Sequence, residues 1–66
     1  MNITINGTPK QLAENANLED IVRGVCKNPT HVIAELNGTI IASTDRPNTK
    51  IKEGDCLELV SFVGGG

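Results

Sequence analysis

The chain has 66 residues, with six Lys and Arg against eight Asp and Glu for a net charge of −2, and Phe62 is its one aromatic residue. That length holds a single domain, which at this size buries about 60% of its unfolded surface and must fill its core with aliphatic side chains. No basic run suits nucleic acid, no apolar stretch approaches the roughly 18 residues that cross a bilayer, and the first residues do not form a signal sequence; the expectation is a soluble cytoplasmic protein.

Taken in chain order, MNITING alternates Met1, Ile3 and Ile5 with polar residues, the period of a half-buried strand. Asn6-Gly7 predicts a two-residue hairpin turn, since both positions tolerate positive φ, and a second strand follows over Thr8 to Ala13. Pro9 lacks a ladder donor, which places that strand at a sheet edge.

From Asn17 the period changes. Leu18, Ile21, Val22 and Val25 form one face of a helix, capped by Asn17, with Glu19 and Asp20 in the first turn and Asp20 spaced for a capping-box-like exchange. Lys27, Asn28 and Pro29 end it. Gly24 weakens a helix interior by up to about 1 kcal/mol relative to Ala, so it is expected to mark a point of close packing.

HVIAELNGTII predicts a second hairpin around Asn37-Gly38, with Val32, Ala34 and Leu36 on one face. Ser43 to Lys50, with Pro47, reads as a surface loop or single-turn helix anchored by Ile51. Glu53-Gly54-Asp55 is a turn into the last strand, where Leu57 and Leu59 alternate with Glu58 and Val60, and which runs to Val63. Strand, strand, helix, strand, strand, loop, strand describes an α+β roll with four or five short strands on one helix.

Few residues suggest catalysis. Cys26 and Cys56 lie 30 positions apart and outside any C-x-x-C pair, so they are expected as reduced core or boundary thiols, and with one His no metal site is expected. His31 is expected at the surface after Pro29. Glu53, Asp55 and Glu58 are expected on a solvated turn and strand face.

The remaining feature is the ending, Ser61-Phe62-Val63-Gly64-Gly65-Gly66. Three glycines add no side chain to a core and cost entropy to order, so folding does not require them. Together with NITING, the AELNGTII hairpin and the EGDCLELV entry to the final strand, this ending resembles the ThiS sulfur carriers, ubiquitin-like β-grasp proteins of thiamin biosynthesis. The resemblance spans the chain. It implies a single β-grasp domain over 1–66, with a mixed four- to five-stranded sheet packed on one helix and a flexible glycine tail at 64–66.

The resemblance also implies the chemistry. A ThiF-like adenylyltransferase would use ATP, with Mg, to adenylate Gly66. A persulfide donor would then supply sulfur, leaving a thiocarboxylate that a ThiG-like thiazole synthase accepts. Gly65 and Gly64 would give thin access to enzyme slots, and Val60 and Phe62 would belong to the docking surface. The chain would be a co-substrate and not an enzyme, with no cofactor of its own.

The chain departs from the family after the second turn. The family's V-P-R-like stretch and following aromatic are replaced by Ile41, Ala42 and Ser43, with Arg46 displaced. Three alternatives remain at this point: a carrier feeding molybdopterin or another sulfur-containing metabolite, a ubiquitin-like modifier conjugated through Gly66, and a binding module with an inert tail.

Overall fold

The computed structural model describes residues 1–62; the expected tail at Gly64 to Gly66, and the expected end of the last strand at Val63, lie outside the described residues. The first hairpin pairs Asn2–Ile5 (β1) with Thr8–Gln11 (β2), antiparallel. Asn6 and Gly7 adopt φ of 51° and 80°, the left-handed geometry a tight hairpin demands and these residue types tolerate. The second hairpin, Val32–Leu36 (β3) and Thr39–Ile41 (β4), repeats it with φ of 51° at Asn37 and 86° at Gly38.

Cys56–Ser61 (β5) enters the sheet between the two hairpins, parallel to β1 and antiparallel to β3. The resulting order is β2-β1-β5-β3-β4. β2 lies at the edge, where Pro9 costs no ladder bond.

One helix, Leu18–Val25 (α1), packs against one sheet face. Asn17 caps it: Asp20 N–H donates to Asn17 Oδ1 at 2.9 Å. Its buried Leu18, Ile21 and Val22 meet Ile3 and Ile5 of β1, Val32 and Ala34 of β3, and Leu57 and Leu59 of β5. Leu18 and Leu57 are wholly buried, each contributing about 1.5–3 kcal/mol of transfer free energy. Ile51 joins this core, and the Ile51 N–H donates to Ala16 O at 3.1 Å, tying the long loop to the helix start.

Several expectations require correction. Val25 is exposed, because the end of α1 borders an open groove and not the core. A Cβ built on Gly24 meets nothing within 4 Å, so nothing packs closely there. The segment Ser43 to Lys50 is mostly exposed and carries a single 3-10 turn, Arg46–Asn48, as expected, but its Arg46 is only 4% exposed and donates to the backbone oxygens of Pro29 and Val32. A guanidinium spreads its donors over a plane, so one side chain can hold two carbonyls of the segment entering β3.

Asp55 is likewise buried rather than solvated. It accepts Lys52 N–H at 2.7 Å and Asn37 Nδ2–H at 3.0 Å, while Asn37 Oδ1 accepts Cys56 N–H at 2.9 Å. The turn of the second hairpin is thereby fastened to the start of β5. Both cysteines are free; Cys26 is half-buried, but Cys56 is exposed, since it opens β5 on the sheet face away from the helix, opposite Thr4.

Candidate functional site

Residues 63–66 follow Phe62, the first residue past β5, so the position of β5 sets where the chain leaves the described fold. β5 is held on both sides. Toward β3 the register runs from Leu36↔Leu57 to Val32↔Ser61, and one residue further the Phe62 N–H donates to His31 O at 2.9 Å. Toward β1 the parallel ladder ends at Ile5↔Leu57, where the backbone turns away at Asn6.

Asn6 extends that ladder with its side chain. Its Nδ2 donates to Leu59 O at 3.2 Å and its Oδ1 accepts Leu59 N–H at 2.8 Å, replacing the strand neighbour that β1 no longer supplies. In the sequence Asn6 signals only a turn. Its second role depends on β5 lying beside β1, a pairing between distant segments.

The sheet face away from α1 is open. On it the apolar side chains of Ile33, Ile40 and Val60 are 44%, 65% and 58% exposed, and Phe62, just past the strand, is 43% exposed. Val60 lies opposite Ile33 in the register, so the two form one apolar pair across β5 and β3. The two expected docking residues are thus both exposed. Val60 sits on the open face, and Phe62 packs against the His31 ring, with centroids 5.6 Å apart.

His31 lies at the surface, as expected, in the 3-10 turn Pro29–His31. It lines a groove of about 520 Å³ with Val25, Lys27, Leu59 and Phe62. Among the described residues that line it there is no carboxylate to pair with His31 as acid and base. Among the described residues no group of three His, Cys, Asp or Glu side chains could hold a metal, and no helix is long and apolar enough to cross a membrane. Gly66, Gly65 and Gly64 lie outside the described residues.

A five-stranded mixed sheet with parallel β1 and β5 inside it, crossed on one face by a single helix, defines a ubiquitin-like β-grasp protein. The chain belongs to the ThiS family, whose model matches residues 3–66. It is similar to the crystal structure of a thiamine biosynthesis protein (ThiS) from Geobacter metallireducens, with a TM-score of 0.84 and 34% identity over the whole of both chains.

Among curated proteins it is 30% identical to a thiazole synthase from Magnetococcus marinus, aligning over all 66 residues and 20% of that protein. It is also 29% identical to the uncharacterized protein ycf40 of Porphyra purpurea, covering 93% of it. The chain therefore spans about a fifth of the length of the thiazole synthase it matches.

Proposed function

We propose that this chain carries sulfur for thiazole formation as a thiocarboxylate on Gly66. What supports the reading is a ThiS family match that extends through the glycines to residue 66, on a fold whose β5 is anchored up to Phe62.

With its carboxylate as the terminus, Gly66 is anionic at neutral pH and a poor electrophile, because a terminal carboxyl has a pKa of about 3.3–3.7. A ThiF-like adenylyltransferase activates it: a carboxylate oxygen attacks the α-phosphorus of Mg-bound ATP, and pyrophosphate leaves. The terminal sulfur of a persulfide then attacks the acyl carbon, and AMP leaves. A thiolate cleaves the resulting sulfur–sulfur bond, so the thiocarboxylate departs with both bond electrons and the donor is left as a disulfide. A ThiG-like thiazole synthase takes the sulfur; the thiazole synthase relative supports that assignment.

The carrier's own contribution is access. Four residues beyond Phe62 reach at most about 14 Å when extended, and three of them lack a Cβ that would strike the walls of a narrow slot. No general acid or oxyanion hole is required of the carrier, which acts as a co-substrate.

Purification from the native cell, followed by mass analysis of the intact protein and its C-terminal peptide, tests this reading. The expected result is one oxygen of Gly66 replaced by sulfur. Unmodified Gly66 in cells making thiazole, or high-mass conjugates abolished by Gly66→Ala, would overturn it, the latter in favour of a protein modifier.

A further inference from the structure

We propose that the open sheet face docks a protein partner that places an arginine between Glu35 and Glu58 and seats apolar side chains on Ile33, Ile40 and Val60. The register sets this pattern. Glu35 of β3 lies directly opposite Glu58 of β5, and Ile40 of β4 lies opposite Glu35, while Ile33 and Val60 form the neighbouring pair. The face therefore presents two carboxylates side by side, with apolar side chains on two sides of the pair.

Like charges directly opposite one another weaken a sheet. Nothing in the fold relieves this pair: among the described residues neither glutamate forms a salt bridge. The six basic residues are placed elsewhere. Lys10 pairs with buried Ile3 and so shares the helix-covered side, and Arg23, Lys27, Arg46, Lys50 and Lys52 lie outside the strands. The open face thus carries negative charge without an internal counterion.

Charge complementarity selects the occupant. The same face of a second copy, an anionic lipid surface or a nucleic acid would each bring negative charge to the glutamates. A guanidinium satisfies both carboxylates through its planar fork and, being weakly hydrated, tolerates the apolar surround better than an ammonium. The proposal rests on the carrier reading in one respect: the partner named is the adenylyltransferase that takes the tail, since Val60 and Phe62 lead from this face directly to residues 63–66.

The test uses the full chain with the adenylyltransferase from the same cell, reading pyrophosphate release against carrier concentration at several salt concentrations, with direct binding isotherms in parallel. Changing Glu35→Gln and Glu58→Gln together is expected to raise the KM for the carrier at least about tenfold, leave kcat unchanged and flatten the salt dependence. The thermal midpoint should not fall, because the change removes a repulsion.

A double variant that keeps the wild-type KM, affinity and salt dependence overturns the docking proposal while leaving the carrier reading intact. Glutamate-dependent binding without adenylation overturns the carrier reading alone. Failure of the wild-type chain to bind overturns both.

Discussion

Replacing Asn6 with glycine separates the two roles of this residue. Glycine accepts the φ of 51° at least as well as asparagine, and Gly-Gly remains compatible with the two-residue turn, so the β1–β2 hairpin should persist. The two side-chain bonds to Leu59, at 3.2 and 2.8 Å, are lost. Each is partly buried and worth about 0.5–1.5 kcal/mol, so Asn6→Gly should cost about 1–3 kcal/mol in total. For a domain of this size that lowers the thermal midpoint by roughly 5–20 °C. Urea denaturation should show a lower midpoint with an unchanged slope, and hydrogen exchange should accelerate at the Leu59 amide more than at the Leu57 amide. A loss below about 0.5 kcal/mol, or unchanged protection of Leu59, would refute the claim that Asn6 anchors β5.

Gly24→Ala should stabilise the protein by about 0.5–1 kcal/mol in thermal or urea denaturation, since the added methyl group meets open space and the helix gains a better former. Arg46→Ala should destabilise by about 2–4 kcal/mol, because it removes two charge-assisted bonds and leaves the Pro29 and Val32 oxygens without them. Arg46→Met should cost less in the same assay, as its apolar chain fills the volume and no charge is buried.

Local patterns carried most of the fold. Two Asn-Gly turns, a helical stripe at Leu18, Ile21 and Val22, and alternation in β3 and β5 each encode their geometry within a few residues, and the structure reproduces them. The failures share a cause. Asp55, Arg46 and the second role of Asn6 depend on partners 14 to 53 positions away, and the register that sets Glu35 opposite Glu58 is likewise a long-range pairing that no local pattern displays. Cys56 and Val25 failed more simply, because periodicity shows which residues share a face without showing how far the opposing layer extends.

That long-range assembly bears on how a carrier of this kind could deliver its terminus. A short tail reaches a fixed target only when its origin is fixed, because uncertainty in the position of Phe62 would add to the spread of a reach of at most about 14 Å. Here the last described residues are held from two directions. Asn6 holds Leu59 from the β1 side, and His31 O holds Phe62 from the β3 side. The docking face proposed above lies on the same strand, two residues before Phe62 at Val60 and four before it at Glu58. A partner seated there would register the tail through one continuous strand, so weakening the Asn6 anchor should impair tail delivery even with every docking side chain intact. Asn6→Gly should therefore lower kcat for adenylation more than it raises KM, at a temperature where the variant remains folded. An effect on KM alone would mean that the face positions the carrier without help from the anchored strand.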